Sequence, residues 1–320
     1  MEKVLITGGA GFIGSNLSNF LAKKKCKVTI IDDLSIGRKK NIKDKKINFI
    51  VSNIININEL KKIGNFDTIV HLAAKAEILI PKKDEKKYFE TNIKGLQQVL
   101  NFASQKKIKK FIFASSASIY GDTKNDKVRE NFIQNPKHYY AYTKYIGEEM
   151  IKKYCKNNNI NFSILRFFNV YGPNSTAVVA RFVAQYLQNK PITIYGNGLQ
   201  KRDFIHVNDL NRVILKIINT SKGDNQIFNI GSGIATGILH LKNIIAQNHK
   251  HILLEKRLDD IEISIANIYK IKKKLNWKPI ISFQKGLNEM IKLDRHKLMN
   301  MRLPTINSQK KLLKKFNNLK

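Results

Sequence analysis

A glycine-rich turn near the start of the chain limits the possible folds more than any other feature. A short apolar run, Lys3–Thr7, leads into Gly8-Gly9-Ala10-Gly11-Phe12-Ile13-Gly14, and helical spacing follows over Phe12–Lys24. Gly8 allows a sharp turn, Gly11 lets a pyrophosphate approach the main chain, and Gly14 permits close packing of helix on strand. The helix N-terminus then offers N–H groups and a partial positive charge to phosphates. The pattern predicts a dinucleotide-binding strand–turn–helix unit.

An acid at the end of the second apolar run supports this interpretation. Asp32 follows Val28–Ile31 and lies 24 residues after Gly8, where a carboxylate can accept hydrogen bonds from ribose hydroxyls. A carboxylate there repels a 2′-phosphate, so NAD is favoured over NADP. The nearby Arg38 and Lys39 keep NADP open as an alternative.

Strand-like apolar runs alternate with helical segments over the first half of the chain, which indicates right-handed βαβ crossovers. The further runs and helical segments in this part are Phe49–Val51, Ile57–Ile63, Thr68–Leu72, Glu85–Gln105, Phe111–Ala114, Tyr139–Lys156 and Phe162–Leu165. We therefore predict an α/β fold with a doubly wound parallel (Rossmann) sheet. The regularity loosens after Pro173, which predicts a smaller mixed α/β substrate-binding lobe. The predicted divisions are an NAD-binding domain over residues 1–172, a lobe over 173–298 from which some chain returns to the first domain, and a basic tail over 299–320, expected to be a loose helix or disordered.

The charge balance raises a second class of function. The chain has 58 Lys and Arg against 24 Asp and Glu, a formal net charge of +34, which makes nucleic acids and other polyanions candidate partners. Because the lysines are spread along the chain, we interpret them as a solvated surface that attracts small phosphate-bearing substrates. Nucleic-acid binding is not expected, and a catalytically silent RNA-binding Rossmann protein is the alternative.

Cysteine content and hydropathy set further limits. Cys26 and Cys155 are the only cysteines, too few and too distant for a disulfide framework or a metal cluster. The chain has no run of 18 apolar residues and no signal-peptide pattern at its start. We expect a cytoplasmic protein with no metal and no membrane segment.

A serine, a tyrosine and a lysine form the candidate catalytic group. Tyr140 and Lys144 are four residues apart on a predicted helix and so share one face. The lysine ammonium is expected to stabilise the phenolate and lower the pKa of Tyr140, making it a general base for an alcohol. Ser116 follows a strand at the edge where doubly wound sheets bind ligands, and is expected to hydrogen-bond the reacting oxygen.

In this order, the glycine turn, Asp32, Ser116, Tyr140 and Lys144 resemble the extended short-chain dehydrogenases/reductases. More narrowly, residues 3–293 resemble the NAD-dependent nucleotide-sugar epimerase/dehydratase family. Other matching motifs are Leu165–Pro173, Ile194–Gly198, Arg202–Val207 and Asn276–Pro279. The resemblance implies that the cofactor is NAD and that the substrate is a UDP-sugar. It assigns the cofactor site to Gly8, Gly11, Phe12, Ile13, Gly14, Asp32, Asn53, Ile54, Leu72, Ala73, Ala74, Asn92, Tyr140 and Lys144. It assigns the substrate site to Ser116, Asn169, Tyr195, Arg202, Arg257 and Ser264.

The residues after Ser116 separate the reactions found in this family. In the resembling 4,6-dehydratases an Asp–Glu pair follows the active-site hydroxyl residue, and decarboxylases usually carry a Glu close by. Here Ala117 and Ser118 follow, and neither is an acid. A retained keto sugar can then only be reduced again, which favours a UDP-sugar 4-epimerase acting through a transient 4-keto sugar. Glucuronate epimerase, decarboxylase and dehydratase activities remain the alternatives.

Two further expectations follow from the resemblance. Ser264 falls where a small residue accompanies acceptance of N-acetylated sugars, so UDP-glucose/galactose and UDP-N-acetylglucosamine/galactosamine are both candidate pairs. Family members commonly dimerise through two long helices, here Glu85–Gln105 and Tyr139–Lys156, which predicts a homodimer.

Overall fold

The computed structural model of the chain describes residues 1–56, 63–78, 80, 82–123, 127–258 and 260–317. Its strands are β1 (Lys3–Thr7), β2 (Lys27–Asp32), β3 (Asn48–Val51), β4 (Thr68–His71), β5 (Lys110–Ser116), β6 (Lys127–Val128), β7 (Asn161–Phe167), β8 (Asn169–Tyr171), β9 (Ile192–Tyr195), β10 (Lys201–His206), β11 (Gln226–Ile230), β12 (Ala235–Gly237), β13 (His251–Leu254) and β14 (Ile263–Ala266). Its α-helices are α1 (Phe12–Lys23), α2 (Glu85–Phe89), α3 (Gly95–Gln105), α4 (Tyr139–Asn157), α5 (Val178–Leu187), α6 (Val207–Ile218), α7 (Ile238–Ala246), α8 (Tyr269–Leu275), α9 (Phe283–Met299) and α10 (Ile306–Asn317).

A seven-stranded sheet in the order β11-β7-β5-β4-β1-β2-β3 forms the centre of the molecule. All neighbouring pairs in it are parallel. From β1 the chain continues outward to β2 and β3 and then returns to place β4 on the other side of β1. The strand order therefore reverses between β1 and β4, which places a crevice at the carboxyl ends of these strands. The prediction of a doubly wound parallel sheet is confirmed.

Apolar residues on both faces of this sheet explain why its strands read as continuous hydrophobic runs. Val4 and Ile6 point into one core together with residues of α1 and α6. Leu5, between them, points into the opposite core, which is shared with α3 and α4. Successive side chains of a strand face opposite sides, so β1 is buried on both.

Smaller sheets build the part of the molecule that faces the crevice. One has the order β12-β10-β14-β6 with β8 paired to β10, and β13 pairs with β9. A third apolar cluster joins α5, β9, α7 and α9. Strand β11 lies at the edge of the first sheet although it follows residue 173, so the chain returns there.

Two segments differ from the sequence-based expectation. The helix predicted over Glu85–Gln105 contains one π-helical turn, Glu90–Lys94, between α2 and α3. The basic tail contains the ordered helix α10, because Gln309 and Leu313, one turn apart, are both buried against the molecule. The helix predicted over Ile57–Ile63 lies, apart from Ile63, outside the described residues. Within the described ranges, none of the helices has the length and apolarity needed to cross a membrane.

Candidate active site

The glycine turn lies at the floor of a cleft of about 1200 Å³. Gly8 has a φ of +71°, and a Cβ there would lie 2.7 Å from the backbone nitrogen of Ala73. A Cβ on Gly14 would lie 2.1 Å from the carbonyl oxygen of Gly8. Both positions therefore exclude a side chain because backbone atoms already fill the space.

Gly11 differs from these two glycines. A Cβ there would have a single protein neighbour within 4 Å, the Gly8 carbonyl oxygen at 3.3 Å, so it would project into the cleft. Gly11 is also the N-cap of α1, and no side chain caps that helix. The first N–H groups of α1 are thus available to an anion. This cradle, open where a Cβ would stand, fits the pyrophosphate of a dinucleotide.

Asp32 lies at the end of β2, beside this cradle. One carboxylate oxygen accepts a hydrogen bond from the backbone N–H of Ala10 at 2.9 Å and the other from Leu34 at 2.9 Å. Burial raises the pKa of Asp32, and these bonds to the backbone oppose that shift. The carboxylate is therefore held in place while its remaining lone pairs can accept ribose hydroxyls.

Ser116, Tyr140 and Lys144 line the middle of the same cleft. Ser116 ends β5, and its Oγ accepts hydrogen bonds from Ser118 N at 3.2 Å and Ser118 Oγ at 2.8 Å. The Ser116 hydroxyl also acts on Tyr140, because it lowers the pKa of that phenol. Lys144 Nζ donates to the Ala114 carbonyl oxygen at 2.7 Å and lies 5.9 Å from the centre of the Tyr140 ring. The structure brings all three predicted residues together.

The electrostatics of this group differ from the expectation. Burial raises the pKa of Tyr140 to about 12, with the nearby Ser116 hydroxyl opposing that shift. Burial also lowers the pKa of Lys144 to about 7, with the charge of Glu148 opposing it. In this structure burial outweighs the effect expected of Lys144 on the pKa of Tyr140, because desolvation disfavours both charges and Lys144 donates to a carbonyl instead of the phenol.

Glu148 links the elements that carry Ser116 and Lys144. It is fully buried, and it accepts hydrogen bonds from Arg166 Nε at 2.9 Å, Arg166 Nη2 at 2.7 Å and Ser115 Oγ at 2.5 Å. Arg166 on β7 also donates to the Tyr120 hydroxyl at 2.7 Å. Glu148 thus ties α4, one turn after Lys144, to the strand that carries Ser116.

Asn92 is the one predicted site residue that does not line the cleft. It lies in the π-helical turn, where its side-chain oxygen accepts from Lys75 N at 2.8 Å. Its amide nitrogen donates to Lys75 O at 3.0 Å and to Thr143 Oγ1 at 2.9 Å. Asn92 therefore supports the part of the cleft wall that contains Lys75. The polar atoms of its side chain bond to Lys75 and Thr143 and not to the open cleft.

A cluster of guanidinium groups lies at the other end of the cleft. Asp260 Oδ1 accepts from Arg202 Nη2 and from Arg257 Nη2, each at 2.8 Å, and Asp260 Oδ2 accepts from Gln200 at 2.9 Å. The guanidinium of Arg257 lies 5.7 Å from the centre of the Tyr195 ring. Arg181 on α5 lines the same region. Among the described residues that line this part of the cleft, three guanidinium groups face the Asp260 carboxylate, a positive excess suited to a diphosphate.

Most sequence-predicted site residues line this single cleft. They are Gly8, Gly11, Phe12, Ile13, Gly14, Asp32, Asn53, Ile54, Leu72, Ala73, Ala74, Ser116, Tyr140, Lys144, Asn169, Tyr195, Arg202, Arg257 and Ser264. The sequence analysis missed Arg181 and the role of Asp260 as the shared partner of two arginines. Arg181 is the single charged residue of α5, an otherwise largely apolar helix, and that contrast could have identified it.

Comparisons with known proteins agree with this arrangement. A family profile described as "NAD dependent epimerase/dehydratase family" matches residues 4–231. The chain is 34% identical over 307 residues to an uncharacterised UDP-glucose epimerase of Bacillus subtilis strain 168, covering 90% of this chain and 96% of that protein.

Solved structures show the same similarity in three dimensions. The UDP-glucose 4-epimerase of Thermotoga maritima, with UDP-glucose, has a TM-score of 0.87 and 31% identity, covering 92% of this chain and 99% of its own. The UDP-N-acetylglucosamine 4-epimerase of Methanobrevibacter ruminantium M1, in complex with UDP-N-acetylmuramic acid, has a TM-score of 0.86 and 30% identity, with 92% and 99% covered. The UDP-glucuronic acid 4-epimerase of Bacillus cereus, with UDP-glucuronic acid and NAD, has a TM-score of 0.84 and 31% identity, with the same coverage of 92% and 99%. These relatives are all epimerases, and their sugars differ.

Proposed function

Because the chain belongs to the NAD-dependent epimerase/dehydratase family, we propose that it is a UDP-sugar 4-epimerase. It would interconvert UDP-glucose and UDP-galactose, or their N-acetylamino counterparts, through a transient 4-keto sugar. One observation carries the proposal: Ser116, Tyr140 and Lys144 lie in a cleft that also contains the glycine turn and the arginine cluster. A dinucleotide and a sugar nucleotide could therefore meet at the proton-transfer group.

Each residue of the group has a distinct role in the proposal. Tyr140 takes the proton from the C4 hydroxyl and later returns it, and Ser116 holds the reacting oxygen through its hydroxyl. Lys144, whose Nζ lies 5.9 Å from the centre of the Tyr140 ring, would stabilise the phenolate when protonated. NAD⁺ held on the glycine turn would supply a hydride acceptor and a positive charge near the phenol. Arg202 and Arg257 would fix the diphosphate, so that the sugar ring points toward Tyr140.

The acids near Ser116 bear on whether the protein could instead be a lyase, which eliminates water or carbon dioxide. Ala117 and Ser118, which follow Ser116, carry no acid, and this favours epimerisation over elimination. Glu77, on the loop after β4, does line the cleft. If the protein were a lyase, Glu77 would be the candidate acid, and the product would be lighter than the substrate by water or carbon dioxide.

The decisive experiment follows the mass and configuration of the sugar. Purified protein incubated with UDP-glucose, UDP-N-acetylglucosamine or UDP-glucuronate should give a product of unchanged mass with inverted C4, as read by mass spectrometry and NMR. Tyr140→Phe should lower kcat by roughly 10²–10⁴, the usual contribution of a general acid–base group. Tyr269→Phe, which changes an exposed tyrosine on α8 outside the cleft, is the matched control and should keep full activity. A lighter product, or full activity in Tyr140→Phe, would overturn the proposal.

We further propose that N-acetylated sugars are accepted. Ser264 on β14 lines the cleft and stands in register with Arg202 on β10. A small side chain there leaves room beside the sugar, whereas a bulky one would fill it. Ser264→Tyr should lower kcat/KM for UDP-N-acetylglucosamine more than tenfold while changing that for UDP-glucose much less. Equal losses for the two sugars would contradict this assignment.

A homodimer is the proposed assembly. Phe89 on α2 and Tyr142, Tyr145 and Ile146 on α4 expose large apolar side chains to solvent. Their helices are those that the family resemblance assigns to subunit pairing. A second copy would cover these side chains, and light scattering at micromolar concentration should give twice the chain mass.

A further inference from the structure

Helix α10 follows the part of the chain that carries the family motifs. The compared structures cover 92% of this chain but 99% of their own length. About 26 residues thus lack a counterpart, and the family motifs end near residue 293. The tail that follows carries α10, which lies against the cleft instead of projecting from the molecule.

Contacts at both ends of α10 fix its position. Gln309 is 5% exposed; its Oε1 accepts from the Tyr195 hydroxyl at 3.2 Å and its Nε2 donates to Pro304 O at 3.1 Å. Near the other end, Asn317 Nδ2 donates to Lys256 O at 3.4 Å and its Oδ1 accepts from Leu258 N at 3.4 Å. The helix therefore holds the strand end that carries Tyr195 and also the segment that carries Arg257.

The cleft-facing side of α10 has the chemistry of a base-binding wall. Ser308 and Leu312 line the cleft on this side, together with Gln309. An apolar side chain can cover the face of a flat ring, and a hydroxyl can bond its polar edge. These hydrogen bonds of α10 reach Tyr195 and the residues on either side of Arg257, beside the arginine cluster, and not Ser116 or Tyr140. The nucleoside, on the far side of the diphosphate from the sugar, is the part of the ligand that would meet this wall.

We infer that α10 forms the outer wall of a nucleobase subsite, with Gln309 positioning Tyr195 against the base. The inference rests on the proposed function, because it takes Arg202 and Arg257 as the diphosphate site. The helix is a wall and not a plug, since Tyr195, Arg202 and Arg257 still line the open cleft with α10 in place. Removing α10 should therefore weaken nucleotide binding.

The experiment uses UDP itself as the probe. Calorimetry compares UDP binding by the full chain and by a chain ending at Leu303, and bound NAD reports whether each is folded. We expect Kd for UDP to rise about tenfold in the shortened chain, equivalent to ~1.4 kcal/mol, with KM rising more than kcat falls. Gln309→Ala should raise Kd severalfold, whereas Lys310→Ala, an exposed neighbour on the same helix, should not.

Failure of this inference is distinguishable from failure of the proposed function. If the full chain does not bind UDP, the proposed function itself is wrong. If the full chain binds UDP and the shortened, NAD-loaded chain binds it equally or more tightly, the wall is refuted. Should the shortened chain fail to fold, Gln309→Ala and Lys310→Ala decide the question: equal Kd values for the two variants would refute the role of Gln309.

Discussion

Replacing Glu148 by Gln tests whether the network behind the catalytic group is held by charge. Gln keeps the shape, but it turns one acceptor of Arg166 into a donor and leaves a buried guanidinium without its counter-ion. Glu148 and Arg166 both have fully buried side chains. Breaking a buried ion pair by removing one partner costs about 3–5 kcal/mol, so we expect a loss of about 4 kcal/mol in the free energy of unfolding.

Urea denaturation followed by circular dichroism measures this loss. Glu149→Gln is the matched control, because Glu149 is a half-exposed neighbour paired with Lys152, and exposed pairs contribute at most about 1 kcal/mol. The double variant Glu148→Leu/Arg166→Met removes both charges and should be less destabilised than Glu148→Gln alone. A loss below 1 kcal/mol in Glu148→Gln, or a double variant that loses the sum of the two single effects, would refute the reasoning.

Three other predictions concern Lys144, the glycine turn and the exposed face of α4. Lys144→Met should stabilise the protein by about 4 kcal/mol at pH 7, because burial lowers the pKa of Lys144 from its ordinary 10.5 to about 7 and each pKa unit corresponds to about 1.4 kcal/mol. The unfolded chain binds one more proton between those pH values, so wild-type stability rises with pH across that window, and the gain in the variant should shrink toward pH 10, as followed by urea midpoints. Gly11→Ala should fold but lose co-purified NAD. Gly14→Ala should fail to fold, because its Cβ would lie 2.1 Å from the Gly8 carbonyl oxygen. Thermal melts report folding, and mass spectrometry of bound nucleotide reports the loss of NAD. Ile146→Lys places a charge on the exposed face of α4 and should give a monomer in light scattering, while Lys153→Glu, which changes charge elsewhere on that helix, should not.

The parts of the site that could be predicted from sequence are those set by local backbone requirements. Gly8 needs a positive φ, and Gly14 tolerates no Cβ, so the turn is recognisable without knowing the rest of the fold. Ser116 could be placed because ligands bind where parallel strands end. Tyr140 and Lys144 could be paired because residues four apart lie on one face of a helix.

The remaining features depend on residues that are distant in the chain. The pKa values of Tyr140 and Lys144 follow from burial by the whole fold, which a spacing of four residues does not reveal. Asp260 becomes the shared partner of Arg202 and Arg257 only because β10 and the 256–260 segment meet in space. The lysine-rich tail was expected to be loose, and the buried Gln309 of α10 is a long-range contact that composition cannot show.

The bridge made by Asn92 has a consequence for how this protein can change during evolution. One amide joins the main chain after β4 to Thr143, the residue immediately before Lys144. A shift of the loop that carries Lys75 would therefore be transmitted to Lys144 and, in the proposed function, to the proton acceptor Tyr140. Adaptation to another dinucleotide and retuning of the proton acceptor would have to occur in concert, so variants selected for altered cofactor preference should accumulate compensating substitutions around residues 92 and 143.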